Sequence, residues 1–459
     1  MIEQFGYKQE FKRALSLRDL VLFGMTFMSP TATMTLFGIM STNSQNHAVL
    51  SYIFGFIAMM FTALSYGKMV EEFPVAGSTY SYTQRAVDSK LGFIAGWVML
   101  LDYMLIPLLL YIVSANYAHA LLPMIPYWAW ILIFVIPVTI VNYRGVEVAA
   151  KVNLIITVVL FASVLAFIIA AVGYAEGNSI PVFQLSAIYN SDTFSVTGVV
   201  AGAAMAVLSY LGFDGITTLS EEANVSSAKI KKAIIAACGF QTIIFVAIAY
   251  FATMYAPDYT AFKDIDTIFY DITYQVGGTA LQLFVTFVIV ISGPATALAG
   301  QSSASRLLFG MGRDNLISKK LFAHVHPKYK TPSYSIIIMG LLGAVGGMTV
   351  SMEIVTDIVT FGGLIGFICV NFAVFYYFAL KKGELKLLSN IIFPSLGVLS
   401  CGYILFNLSD IGKIVGFSWM GLGIVYLAVR SLQSSQFRQL LINKNELVQP
   451  ETVLEKTGI

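Results

Sequence analysis

Long apolar stretches recur along the whole chain, and no other feature restricts its fold so strongly. A helix that crosses a bilayer needs about 20 mostly apolar residues. Twelve windows meet that condition, at 20–41, 48–70, 92–121, 126–142, 150–173, 195–219, 233–255, 279–308, 333–351, 354–380, 390–408 and 412–431. Composition agrees, since 57% of the 459 residues are hydrophobic and 11% are charged, against about 25% charged in a soluble domain. The chain therefore reads as an all-α membrane protein with lipid as its main solvent. A net charge of +2 is too small to point to a nucleic-acid partner. Cys238, Cys369 and Cys401 lie in apolar runs without CxxC or metal-ligand spacing. They are expected to be small buried hydrophobes, with no metal or other cofactor implied.

The basic residues set the orientation. With the N-terminus in the cytoplasm, every even-numbered loop and both tails are cytoplasmic. Those segments and their adjoining helix ends hold all of the 27 Lys and Arg residues except Lys263 and Lys413. The bias of Lys and Arg toward the cytoplasmic side predicts this pattern, and an error of one span would scramble it. The expected organisation is a cytoplasmic segment at 1–19, a transmembrane domain at 20–432 and a cytoplasmic tail at 433–459, in a multi-pass inner-membrane protein. The polar start, with Lys8, Lys12, Arg13 and Arg18, argues against a cleavable leader. The external stretch 258–271 is expected to form a short surface helix.

Two of the spans are not plain Leu/Ile/Val/Phe runs. The first reads GMTFMSPTATMTLFG from Gly24 to Gly38, with Pro30 among the hydroxyls of Thr26, Ser29, Thr31, Thr33 and Thr35. Proline removes a backbone donor and clashes with the preceding turn. The freed polar groups then need protein, water or solute, because lipid cannot satisfy them. The sixth span reads SYLGFDGITTLSEE from Ser209 to Glu222, with Gly212 and Gly215 bracketing Asp214. Two interrupted helices five spans apart are the sequence pointer to a transporter built from inverted repeats, whose half-helix ends face the solute. On that reading repeat one covers about 20–173, repeat two about 195–380, and two peripheral helices about 390–431. Half-helix N-termini attract carboxylate and half-helix C-termini attract ammonium. The alternative is that Gly and Pro are simply common in membrane helices.

The segments EEFPVAGSTYSYTQ (Glu71 to Gln84), WVMLLDYML (Trp97 to Leu105), SYLGFDGITTLSEE (Ser209 to Glu222), SRLLFGMGRDNLIS (Ser305 to Ser318) and VHPKYKTP (Val325 to Pro332) carry a resemblance across residues 14 to 430. The chain resembles the amino acid–polyamine–organocation permease superfamily, and within it the bacterial putrescine-importer branch. That resemblance implies a five-plus-five inverted-repeat core of the LeuT type followed by two peripheral helices. It implies a solute held between helices one and six, with helices three, eight and ten along the route. It also implies secondary active transport of an amino acid or polyamine by alternating access, as proton-coupled uptake or, alternatively, as exchange. Importers of this branch carry an aspartate in helix one where this chain has Thr35, so helix one offers no carboxylate to an ammonium. Some proton-linked relatives place a lysine within helix five; here Lys151 stands at its cytoplasmic end.

The candidate solute-binding residues are Thr26, Ser29, Thr31, Thr33 and Thr35 in the first span and Ser209, Tyr210, Gly212, Phe213 and Asp214 in the sixth, with Asp102 and Tyr103 in the third. A carboxylate inside a span is expensive and should face a cavity or a partner. Asp214 is read as an amine or proton site, or else as a carboxylate capping the helix break. Asp102 is expected to reach a cavity or the tenth span. Tyr103, Tyr111, Tyr210 and Phe213 offer aromatic faces to an ammonium. Glu221 and Glu222 are candidate gating residues, paired with Arg18 or Lys229, or else solvated at a helix end. No nucleophile–base pair, HExxH or phosphate-binding loop is present, so no enzymatic activity is expected. A solute sensor that does not translocate is the remaining alternative. The expected partners are a small amine-bearing solute and the bilayer, with a homodimer left open.

Overall fold

The computed structural model describes residues 9–262, 265, 268–350, 352–408 and 410–434. The tail beyond 434 and residues 1–8 lie outside the described residues, as does part of the expected external helix at 258–271. Of that stretch the described part holds a single turn, Tyr259–Ala261, and the start of a later helix at Ile268. Among the described residues the only β-type pairing is an isolated parallel bridge between Leu15 and Ala223.

In chain order the helices are α1 (Leu17–Phe27), α2 (Ala32–Asn43), α3 (Ala48–Glu72), α4 (Ser78–Ala86), α5 (Ser89–Leu121), α6 (Tyr127–Arg144), α7 (Val146–Gly177), α8 (Val196–Tyr210), α9 (Gly215–Thr218), α10 (Ser227–Tyr255), α11 (Ile268–Arg313), α12 (Lys319–Phe322), α13 (Ser333–Thr349), α14 (Met352–Val374), α15 (Phe393–Phe406) and α16 (Asp410–Gln433). Wider π turns, Phe375–Lys381 and Leu387–Ile392, bracket the link between α14 and α15. Among the described residues ten helical segments are long and apolar enough to cross a membrane, α1 and α2 form one further bent span, and the 17-residue α13 is apolar but shorter. Together they occupy the twelve windows expected from the sequence. The start expected at 279 follows a real feature: α11 runs from Ile268, but Gly278 leaves helical geometry there, at φ 65° and ψ −167°.

Local chemistry sets several helix starts. Ser16 and Asp19 form a reciprocal cap at α1, the Ser16 N–H donating to Asp19 Oδ2 at 2.9 Å. Asp88 accepts from the Lys90 and Leu91 amides at 2.8 and 2.9 Å and so starts α5. Ser195 does the same for α8 through the Gly198 amide at 2.9 Å.

Packing sorts helices into centre and rim. In their most apolar stretch α5 is 78% buried, whereas the segments ending in α15 and α16 are 28% and 17% buried. Side chains such as Ile155, Leu399 and Phe406 stand exposed on the outer surface, while Asp102, Asn371, Gln241 and Gln301 are buried. Apolar groups outside and polar groups inside suit a bundle whose outer solvent is hydrocarbon. Around the centre, α5 packs on α11 and α14, and α3 packs on α8 and α10.

Candidate functional site

Two helix breaks meet at the centre. The first runs from Met28 to Thr31 between α1 and α2, which are bent by 41°. Ser29 adopts the left-handed backbone, at φ 54°, immediately before Pro30. The Ser29 and Thr31 hydroxyls bond each other at 3.1 Å. The Thr26 carbonyl accepts from the Thr296 hydroxyl of α11 at 2.9 Å, and its own hydroxyl bonds Thr157 of α7. The hydroxyls around the break thus tie α1 to its neighbours and to the chain next to it.

The second break runs from Leu211 to Asp214 between α8 and α9. Gly212 sits at φ 121°, a region that disfavours any side chain. A Cβ there would also come within 2.7 Å of the Phe27 ring and 2.9 Å of the Phe27 carbonyl carbon. Phe27, the last residue of α1, is buried against Gly212, Gly215 and Gly300, with its ring 6.2 Å from that of Tyr103. Its ring therefore occupies the space between the two breaks.

Asp214 is fully buried at the second break. The Tyr103 hydroxyl of α5 donates to its Oδ2. The Tyr103 hydroxyl is also 3.3 Å from Ser78 Oγ, to which Thr217 donates at 2.9 Å. Asp214 Oδ1 has no hydrogen-bond partner, and neither has either oxygen of Asp102, also fully buried. Asp102 lies against the α14 backbone: a Cβ on Gly363 would be 3.4 Å from Asp102 Oδ2 and 2.8 Å from Leu211 at the second break. Asp102 lies within reach of the charge of Asp214, and Tyr66 of α3 lies within reach of both. Tyr66, Phe213 and Phe367 form an aromatic cluster beside them, with ring centroids 5.4–6.0 Å apart.

A second acidic pair closes one end of the bundle. Glu221 is held in a fork by Arg313, with both N···O distances 3.0 Å, and accepts the Ala76 amide at 2.8 Å. Glu222 pairs with Arg306, which also donates to the Ser302 carbonyl at 2.9 Å. The N-terminal segment lies across this end. The Ala14 and Leu15 amides donate to the Glu222 carbonyl at 2.9 and 3.1 Å, the Asn224 amide returns to the Leu15 carbonyl at 2.8 Å, and Arg13 donates to the Ala223 carbonyl at 2.9 Å. Glu10 stands close by, half-buried, and burial pushes its carboxyl above the usual range.

Small cavities flank the first break on either side. One, of about 20 Å³, is lined by residues including Leu15, Asp19, Asn142, Leu219 and Ser302. The other, of about 10 Å³, is lined by Met34, Tyr117, Thr273 and Thr286 among others. Each has room for about a water molecule. Neither is lined by Asp102 or Asp214, both of which are fully buried.

The residues singled out by sequence fall into three groups. Asp102, Tyr103, Gly212, Phe213 and Asp214 converge on the centre, and Thr26, Ser29 and Thr31 line the neighbouring break. Ser209 and Tyr210 face elsewhere: Ser209 bonds the Tyr52 hydroxyl at 3.2 Å, and Tyr210 donates to Thr242 at 2.9 Å. Thr33 is buried on α2 near Tyr52, while Thr35 is half-buried with its hydroxyl donating to the Ala32 carbonyl at 2.9 Å. Tyr111 is buried against Gly343 of α13. The expected partners of Glu221 and Glu222 need correction. Arg18 and Lys229 are exposed, and the arginines of α11 take the two glutamates instead. Nor are the glutamates solvated, at 2% and 1% exposure, because the chain folds back under α9 and carries them inward. Phe27, Tyr66, Ser78, Thr217 and Phe367 were not singled out. For Ser78 the signal was Gly77, at φ 113° in the PVAGST run; the apolar residues gave none.

Residues 23–442 match the amino acid permease family, nearly the whole of the membrane domain. This chain belongs to that family. The low-affinity putrescine importer PlaP of Escherichia coli (strain K12) is 33% identical over 428 residues, covering 91% of the permease and 94% of PlaP. The branched-chain amino acid permease BcaP of Bacillus subtilis (strain 168) is 24% identical over 458 residues, covering 94% and 96%. The cationic amino acid transporter 4 of Mus musculus is 23% identical over 394 residues, covering 80% of the permease and 60% of that protein. The permease is thus a multi-pass membrane transporter of the amino acid–polyamine–organocation superfamily and not an enzyme.

Proposed function

We propose that the permease carries a small amine-bearing solute through the cytoplasmic membrane by alternating access, and that the ammonium group is held at Asp214 between the two helix breaks. The observation that carries this reading is the state of Asp214. It is fully buried at the break, one oxygen is fixed by Tyr103, the other has no side-chain partner, and the amides of Gly212, Asp214 and Gly215 face the carboxylate. A charge in such a place needs an opposite charge or a water-filled path, and an ammonium with three N–H donors supplies the first. Tyr103 fixes the carboxylate so that the free oxygen is presented to the solute. Thr26, Ser29 and Thr31 and the half-helix ends provide the polar wall, and Phe27 must swing aside before a solute can enter. Glu221 and Glu222 act as the gate at the other acidic pair, because opening that end separates two buried ion pairs.

Uptake is proton-coupled in this proposal, with buried carboxylates as the groups able to carry the proton; exchange is the second reading. Both termini face the cytoplasm, which the distribution of Lys and Arg supports. Uptake of labelled amines and amino acids into proteoliposomes tests the proposal. Asp214→Asn is expected to reduce uptake at least tenfold, the equivalent of one charged hydrogen bond of about 1.5–3 kcal/mol, with no loss of folded protein. Retention of full uptake in that variant refutes the assignment. An imposed pH gradient that accelerates net uptake, without solute on the far side, separates proton coupling from exchange.

A further inference from the structure

On the face that the Lys and Arg distribution puts outside, a short turn joins α2 to α3. Gln45 and Asn46 in it both adopt the left-handed backbone, at φ 51° and 65°. Such a conformation persists in residues other than glycine only where the surroundings fix it. The Asn46 side-chain amide donates to the Pro257 carbonyl beyond α10 at 2.7 Å. Ser44 sits against α8, where a Cβ on Gly202 would come within 2.8 Å of the Ser44 Cβ. His47 is 1% exposed and bonded through both ring nitrogens. Its Nδ1 lies 3.1 Å from the Ser44 carbonyl, and its Nε2 accepts the Asn190 amide at 3.3 Å. The ring also meets those of Tyr189 and Phe194, with centroids 6.2 and 5.4 Å away. Residues 178–195, the connection between α7 and α8, are thereby strapped to the turn. The strap's other fastening is Tyr250 of α10, whose hydroxyl accepts the Gln184 amide at 2.6 Å and donates to the Val182 carbonyl at 2.8 Å.

We propose that His47 is a proton-operated clasp: neutral, it holds the strap of residues 178–195 over the outer ends of α2, α3, α8 and α10, and protonated, it lets the strap go. The bonding partners fix which nitrogen carries hydrogen. A carbonyl only accepts, so Nδ1 carries the hydrogen toward Ser44. A backbone amide only donates, so Nε2 is bare toward Asn190. A proton added at Nε2 sets one donor against another and buries a charge. The docked strap therefore binds one proton fewer than the released strap. Docking is complete at high pH and is lost as pH falls through the range in which histidine titrates. The packed elements bring few other titratable groups to this end. The strap has Tyr189 and the exposed Asp192, α3 has Tyr52, α10 has Tyr250 and Tyr255, and the segment after α10 has Asp258 and Tyr259. Ordinary phenols and carboxylates change charge outside the range of about pH 5–8, and the Thr260 hydroxyl and amide hold Asp258 below even the usual carboxylate range. A more acidic exterior thus frees the outer ends of α2 and α8, the helices that carry the two breaks. The inference goes beyond the transport reading and stands without it.

The experiment reads the strap directly, on purified full-length protein in detergent with the native cysteines replaced. Ala187, in the turn Leu185–Ala187 of the strap, is 3% exposed, so Ala187→Cys reacts with a maleimide when the strap lifts. Ser191→Cys, exposed on the same strap, supplies the reference rate at each pH and cancels the pH dependence of the thiol itself. The ratio of the two rates is expected to rise about tenfold between about pH 8 and about pH 5. His47→Gln keeps a donor for Ser44 and an acceptor for Asn190 but takes up no proton, so in that background the ratio is expected to stay low throughout. A ratio that stays flat with His47 present, or one that rises as steeply in His47→Gln, overturns the inference. Neither result bears on the solute site, which the uptake assays test separately.

Discussion

At the scale of single residues, the centre depends on Gly212 as much as on the carboxylates. Its left-handed backbone and its contact with Phe27 are two separate reasons why a methyl group is unwelcome. The left-handed backbone costs an ordinary residue about 1–2 kcal/mol, and forcing the Phe27 ring away adds overpacking of about 1–3 kcal/mol. Gly212→Ala is therefore expected to destabilise the permease by about 2–5 kcal/mol, read as a fall in melting temperature. An unchanged melting temperature would show that Phe27 does not occupy the gap. Residues of this kind differ in how legible they are. Asp214 and Asp102 stand out in the sequence because carboxylates are unusual inside apolar runs, and Gly212 because it brackets one of them with Gly215. Phe27 and Phe367 look like any other apolar residue, and only the close approach of distant helices gives them a role.

At the scale of elements, the ion pairs beneath α9 show where sequence spacing fails. Lys229 is the first basic residue after Glu221 and Glu222 in the chain, which made it a natural partner. The partners come instead from α11, some ninety residues away along the chain, because α9 is too short to separate the glutamates from the bundle. The N-terminal segment then covers the pairs through main-chain bonds to Glu222 and Asn224. Breaking a buried pair by removing one partner costs about 3–5 kcal/mol, whereas replacing both is far milder. Arg306→Gln is expected to destabilise the closed form by about that amount, and Glu222→Gln together with Arg306→Gln to recover most of it. A double-mutant cycle on unfolding measures the coupling. Simple additivity of the two changes would contradict a direct ion pair. The helix breaks themselves were legible, since Pro30 and the Gly212–Gly215 pair interrupt their spans where the structure does. The route of the chain between Phe73 and Ser78 toward Asp214 was not, because Pro74 and Gly77 mark a turn without saying where it leads.

At the scale of the whole molecule, hydropathy located the long apolar helices, because a bilayer leaves a chain almost no other way to bury so much apolar surface. The same physics sets which way the molecule points. The connection between α7 and α8, residues 178–195, contains no Lys or Arg, whereas the connection between α11 and α13 contains Lys319, Lys320, Lys328 and Lys330. Cationic loops are retained on the cytoplasmic side during insertion, so these two connections should lie on opposite faces, the first outside. Ser191 and Lys328 are exposed on those connections and distant in sequence from the acidic centre. With the native cysteines replaced, Ser191→Cys is expected to react with a membrane-impermeant maleimide on intact cells, and Lys328→Cys only after the membrane is permeabilised. The reverse pattern would invert the molecule. It would then place the Glu221 and Glu222 gate on the outside, and the latch formed by residues 9–15 would close the outer mouth instead of the inner one.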